Sequence, residues 1–377
     1  MGLWPSYSLR ESLLASRWLG ACLTQGVGRS WRPAPTDEIH LILAVAGHFE
    51  PRQGGVSAGQ ARARVEHWAR EYPRALGGFH DADGRPPQHT FFYPVEEYDP
   101  VLLDMLADLC RQGYGEVEVQ LHHHDDTADG LRETLGVAVR VLSERHGLLA
   151  RRRGTGELAF GFVHGNWALN NSRPDGGWCG VNDEIRVLHE TGCYADFTFP
   201  SAPDPTQPPT INRIYYAKGD PGRPFGHAYG VEVGRGPVPA GSLMMIPGPL
   251  LLHWRDRKWE ILPRLENGCL QANQPATAGR VDLWLRARVQ VPARPDWYFV
   301  KLHCHGAPES QWEALLGDPR VAFHRALDRR AAEDSRFHVH YVTTREMYNL
   351  VRAAEAGWGG AVSGALDFEI VRGGAAV

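Results

Sequence analysis

Histidine and carboxylate pairs are the residues of this chain best suited to chemistry. His48 and Glu50, His122 and His124, and His303 and His305 each stand two residues apart at the close of an apolar run. In an extended strand, residues i and i+2 project to the same side, so each pair can share one target. Imidazole nitrogen with carboxylate oxygen suits a divalent first-row metal ion, zinc first among them. His123, Asp125 and Asp126 adjoin the second pair; His164, Asn166 and Trp167 close another apolar run and Asp196 a further one. Buried strands ending in such groups are costly unless the groups bind something. His338 and His340 share the spacing but lie inside a run, where core histidines are the simpler reading, and Cys304 should face away from its two flanking histidines. Trp167, Trp178, Trp254 and Tyr298 could stack on sugar rings or serve only as core and loop aromatics.

Other chemistries lack their sequence context. There is no G-x-S-x-G nucleophile turn. The glycine-rich stretch VEVGRGPVPAG (231–241) cannot be a phosphate loop, because Pro237 and Pro239 block a helix directly after the glycines.

Those candidates need strands that end at a common edge, and the chain supplies them. EIHLILAVAGHFEP is apolar on both faces, as buried parallel strands are. A helical stretch (57–76), the strand QHTFFYP, the helix PVLLDMLADLCRQG and the strand EVEVQLHHHDD follow. A helix over 127–147, the strand ELAFGFVHGNW, the helix NDEIRVLHETG and the strand YADFTFP continue the alternation. Residues 201–295 break the rhythm as an irregular, partly β insertion with short apolar runs such as INRIYYA, SLMMIPGPLLLHW and RVDLWLRARVQV. WYFVKLHCHG, a helical 308–331, FHVHYVT and a last helix capped by Thr343 and Glu346 complete the pattern. Repeated βα units predict an α/β fold, a distorted seven- or eight-stranded (β/α) barrel over 38–357, with a helix and entry loop at 1–37 and a tail at 358–377. Such folds gather their sites at the carboxyl ends of the strands.

Composition narrows the classes. With 43% hydrophobic and 22% charged residues in 377, the chain is globular, and 40 Lys+Arg against 44 Asp+Glu argues against nucleic-acid binding. No run of 18 apolar residues exists to span a membrane. The six cysteines form no C-x-x-C and no disulfide framework. Leu19-Gly20-Ala21-Cys22 is close to a lipoprotein cleavage box, yet Glu11 and Arg17 interrupt the apolar stretch before it. An amphipathic helix carrying Leu13, Leu14, Trp18, Leu19 and Leu23 is the better reading, and with it a cytoplasmic location; export or anchoring at Cys22 is the lesser alternative.

The order of segments resembles the polysaccharide deacetylase family, metal-dependent esterases that remove N- or O-acetyl groups from glycans. The family opens with a strand ending T-F-D-D-G-P, continues with A-T-F-F, and then carries H-[ST]-x-x-H. Here VAGHFEP (45–51), HTFFY (89–93) and EVQLHHHDD (118–126) are similar in order and context. VHGNW (163–167) falls where a third motif stands, and KLH (301–303) where the family has Leu-x-His, with Lys301 in place of Leu. The resemblance implies a divalent ion, zinc above others, held by His48, His122 and either His124 or Asp126. It puts Gly47 where the family has its general base, so Glu50 or Asp125 would take the proton of the attacking water. His303 would be the acid, and His164, Asn166, Trp167, Asp196 and His305 would contact a carbohydrate substrate. A metal-dependent glycosidase or amidohydrolase on the same barrel, with Glu50 or Asp196 as an acid or nucleophile, stays open. So does a non-catalytic glycan-binding protein.

Overall fold

The run IHLILAVAGH forms a central strand, β1 (Ile39–His48), buried from Leu41 onward, with neighbours on both edges. The computed structural model that places it describes residues 18–22, 38–258 and 261–373. Helix α1 (Ala58–Leu76) follows, its first turn capped by Ser57, whose side chain accepts from the Gln60 amide. Then come β2 (His89–Pro94), α2 (Pro100–Arg111), β3 (Gly115–Leu121), α3 (Ala128–His146), β4 (Ala150–Arg152), β5 (Leu158–His164), α4 (Glu184–Glu190) and β6 (Cys193–Asp196). Asp99 with Pro100 starts α2; Thr127 starts α3, and Gly147 in the left-handed conformation ends it.

The insertion carries β7 (Tyr215–Ala217), β8 (Gly230–Glu232), β9 (Leu243–Met245), the hairpin β10 (Leu251–Lys258) and β11 (Leu262–Glu266), β12 (Cys269–Leu270) and α5 (Ala278–Ala287). The fold closes with β13 (Trp297–His305), α6 (Trp312–Leu316), α7 (Asp318–Glu333), β14 (Phe337–Val342), α8 (Thr344–Glu355) and β15 (Ile370–Arg372). Two readings change here. RVDLWLRARVQV is a helix over most of its length, because Val281, Trp284 and Ala287 recur at helical spacing on its buried side. Within the expected tail at 358–377, Ile370–Arg372 form the strand β15, which pairs antiparallel with β4.

Thirteen strands make one mostly parallel sheet in the order β12-β13-β1-β2-β3-β5-β6-β9-β7-β8, with β14 beside the first half of β1, β4 beside β5, and β15 beside β4. The insertion is part of this sheet, since β9 pairs parallel with β6. Alternation sorts the side chains between two cores. Leu41, Leu43 and Val45 pack outward against the helices with Trp68 and Leu106; Ile42, Ala44 and Ala46 pack inward with Phe299 and Met347. The inward face is concave. Lys301 of β13 donates to the carbonyls of Phe197 and Phe199, just beyond β6, although four strands separate β13 from β6. Helix α8 touches β1, β5 and β14 together. No ladder among the described residues joins the two ends of the pairing order.

The N-terminal helix reading falls mostly outside the described residues, including Leu13, Leu14 and Leu23. Residues 18–22 are helical, and Trp18 packs on Ala202, Ile211 and Leu250. No described helix is long and apolar enough to cross a membrane.

Candidate metal centre

The inner face of the sheet, at the carboxyl ends of β1, β3 and β13, gathers one carboxylate and three imidazoles. Glu50 lies just past β1, its oxygens 3.9 Å from Nδ1 of His48, 3.5 Å from Nε2 of His122 and 3.7 Å from Nδ1 of His305. The strands set this register: His48 stands opposite His305 across the β1–β13 ladder, and their rings lie 4.7 Å apart. Gln120 Nε2 donates to Glu50 Oε1 at 2.5 Å. His122 is held from behind, with Glu96 Oε1 2.5 Å from its Nδ1.

Two buried nitrogens in this group, Nδ1 of His48 and Nδ1 of His305, have no hydrogen-bond partner, and neither has Nδ1 of His303 nearby. Leaving such atoms unpaired costs roughly 1–3 kcal/mol each, so the arrangement is one that a bound cation would satisfy. His48, Glu50 and His305 each offer a ligand atom within 4.8 Å of the others, and the set could hold a metal ion.

Electrostatics fits that use. Burial and the neighbouring His305 keep His48 well below the ordinary imidazole range, so it is neutral, as a ligand must be. Burial would raise Glu50, but His122 and His305 hold its carboxyl far below the usual range, so it is ionised. Burial disfavours the His122 cation, yet Glu50 and Glu96 together raise it to about 10. Burial, then Lys301 and His48, push His303 well down.

The group opens onto solvent through two adjoining clefts that share Cys269, Gln271 and His305. One, about 370 Å³, is lined by Trp167, Asn267 and His303; the other, about 430 Å³, by Gln53, Ser310 and Gln311. Trp167 stands with its ring 6.4 Å from His305.

The sequence-derived residues separate into those that meet and those that do not. His48, Glu50, His122, His303, His305 and Trp167 converge. His124 does not join His122, because β3 ends at Leu121 and strand alternation ends with it. His124 is exposed, accepts from the Trp178 amide and pairs with Asp125, which has φ 49° and a side chain 82% exposed. Asp126 turns instead to His123, 3.0 Å away. His164 is fully buried and faces His123, with the Asn166 amide donating to its Nδ1. Asp196 is buried and accepts from the Thr198 hydroxyl and amide; burial raises it to about 7. Cys304 points into the outer core, as its spacing required.

Gly47 also changes meaning. A Cβ there would point at the outer layer and meet Nε2 of His89 at 2.2 Å. No side chain at 47 could reach Glu50's group, so that group has lost nothing through Gly47. Two members went unread in the sequence, Glu96 and Gln120. Glu96 follows β2 at the same carboxyl edge as the others, which was signal enough to include it; Gln120 reads simply as an inward strand residue.

Neither the scan against protein-family models nor the search of the curated proteins finds a match to this chain. The functional reading therefore rests on the residues themselves.

Proposed function

We propose that the chain is a metal-dependent hydrolase of the polysaccharide deacetylase kind, removing acetyl groups from a sugar or glycan, and that its curled sheet is a distorted barrel. The observation that carries the reading is the group of His48, Glu50, His122 and His305, with unpaired nitrogens, at the mouth of a cleft.

The ion, zinc by the donor set, would sit on His48, Glu50 and His305 and would polarise the acetyl carbonyl and lower a water's pKa towards about 7. Glu50 and Glu96 keep His122 protonated in the metal-free group. An ion on Glu50 would remove that carboxylate's pull and lower His122 by its own charge, so that Nε2 could take the water's proton while Glu96 fixes the ring through Nδ1. This moves the base from Glu50 and Asp125 to His122, and moves His305 from substrate contact to ligand. The proton that His122 gains would be the one returned to the leaving amine or alkoxide, while His303, held neutral in the wall of the cleft, is placed to hydrogen-bond the substrate. Trp167 offers a sugar face a stacking surface. Lys301, drawn inward by two carbonyls, helps keep His303 neutral.

Elemental analysis of the purified protein beside a His48→Ala/His305→Ala variant tests the site, and acetate release from acetylated sugars tests the reaction. Metal that drops by about one equivalent in the variant, together with acetate release that drops with it, is the expected result. A folded, metal-soaked wild type with no ion at these residues would sink the reading.

A further inference from the structure

Directly behind His122, on the opposite face of the sheet, four side chains converge that the proposed reaction does not use. His123 leaves β3 towards the helix layer, and His164 ends β5 on the same side, with 4.8 Å between their ring centroids. Glu184 opens α4, and Cys179 arrives from the 165–183 connection. Nε2 of His123 is 3.2 Å and Nε2 of His164 is 3.9 Å from Glu184 Oε1, while Cys179 Sγ is 3.4 Å from Oε2. His164, Cys179 and Glu184 have no solvent exposure, and Nε2 of His164, aimed into the group, has no hydrogen-bond partner.

We propose that His123, His164, Cys179 and Glu184 are a second, structural metal site, a closed four-ligand zinc site that clamps the 165–183 connection to the ends of β3 and β5. One atom from each of the four lies within 4.8 Å of the others. Two imidazoles, a thiolate and a carboxylate are donors zinc accepts in tetrahedral sites. The surroundings suit ligands rather than a packed core. Asp126 holds Nδ1 of His123 at 3.0 Å and so turns its Nε2 inward, the usual outer partner of a ligating imidazole. Burial and Glu184 push the metal-free Cys179 thiol up, but the amides of Asn171 and Val181, which donate to its Sγ at 3.3 and 3.4 Å, would support the thiolate that a bound ion creates. The Asn170 amide donates to Glu184 Oε2 at 2.7 Å.

Four protein ligands, three of them without solvent exposure, leave no open coordination position, so the site holds structure and does no Lewis-acid chemistry. On loading, Cys179 would release its thiol proton and His123 its Nε2 proton to solvent, Nδ1 of His123 keeping its proton towards Asp126. The ring proton of His164 moves to Nδ1, and the Asn166 amide, 3.2 Å from that atom, turns away. The clamp fixes His123, and through it the adjoining His122 and the Trp167 loop, so the site supports the cleft without entering it.

Cobalt distinguishes the two sites, because only this one has a thiolate ligand. The metal-stripped full chain, titrated with Co²⁺, should develop a thiolate-to-cobalt charge-transfer band at about one equivalent. The band should persist in His48→Ala/His305→Ala and in Cys269→Ser, and vanish in Cys179→Ser. Asp126→Asn should weaken binding about 10–100-fold. A folded wild type without the band, or a band that survives Cys179→Ser or is lost in Cys269→Ser, overturns the proposal. Should Cys179→Ser not fold, X-ray absorption of zinc-loaded His48→Ala/His305→Ala decides: a sulfur in the zinc shell supports the site and its absence refutes it. A band that appears while the double variant loses no metal would count against the hydrolase reading alone.

Discussion

Glycine at position 47 separates a motif read by alignment from a site read by geometry. The resemblance puts a general base there, and the strand puts the position on the wrong face. Gly47→Asp should therefore restore no activity. Its Cβ would collide with His89, a buried ring packed among Trp68, Tyr72 and Phe91, and its carboxylate would enter an apolar layer. Gly47→Ala alone should cost roughly 1–3 kcal/mol by overpacking, seen as a lower denaturation midpoint with unchanged metal content, and Gly47→Asp more. At Glu96 the expectation reverses. Glu96→Gln keeps the fold, because Glu96 is partly exposed, but releases His122, and acetate release should fall about 10–100-fold with metal retained. An unchanged rate would remove His122 from the base role. At this scale the sequence told most where the backbone stays extended. The i, i+2 rule brought His48 to Glu50 and His303 to His305, and it failed at His122 and His124 because Leu121 is the last residue of its strand. What it could not supply is which face a lone residue such as His164 or His123 takes once the strand has ended.

Elements are tied to one another inside the curl by a buried ion pair. Arg345, in the first turn of α8, grips both oxygens of Glu116 at the start of β3 and also donates to the Ile370 carbonyl of β15. Burial would raise Glu116, but Arg345 keeps its carboxyl below the ordinary value. A depressed acid stabilises above its unfolded pKa, and that contribution is lost as pH falls through the lower folded value. Arg345→Met leaves a buried carboxylate unpaired and should destabilise by about 3–5 kcal/mol in urea unfolding, whereas Glu116→Gln/Arg345→Met should recover much of that loss. Equal losses in the single and double variants would show that Arg345 acts through β15 rather than through Glu116. The capping box that starts α8 was plain in Thr343 and Glu346. The partner of Arg345 was not, since the pair is 229 residues apart in the chain. Helix α5 was hidden for a different reason: its apolar residues lie so densely that strand and helix periods both fit a short run.

For the molecule as a whole, alternation in the sequence says which residues face inward but not how far the sheet curls, so the depth of burial inside it had to come from the structure. Glu118 shows the consequence. It points inward from β3, where the Tyr194 hydroxyl contacts Oε1 at 2.5 Å and the Gly161 amide donates to Oε2 at 2.6 Å. Among the described residues no cation forms an ion pair with it, and burial, against the hydrogen bonds of Tyr194 and Gly161 and the charge of Arg345, raises it from 4.5 to about 8. The folded protein therefore keeps a proton on Glu118 at pH values where the unfolded chain has released it. Stability from this group is complete below about 4.5 and is lost as pH rises towards about 8. Asp196, raised to about 7, acts in the same direction, whereas Lys301, lowered to about 7, acts oppositely above that pH because the unfolded lysine takes up the proton. Comparing variants isolates Glu118 from both. Glutamine imitates the protonated acid: its oxygen accepts from Gly161, and its amide donates to Tyr194. Glu118→Gln should match the wild type near pH 5 and exceed it by about 2–4 kcal/mol near pH 9, in urea midpoints followed across that range. Parallel curves for the two proteins would mean that water or a cation reaches Glu118, and that the curled sheet is open at that depth.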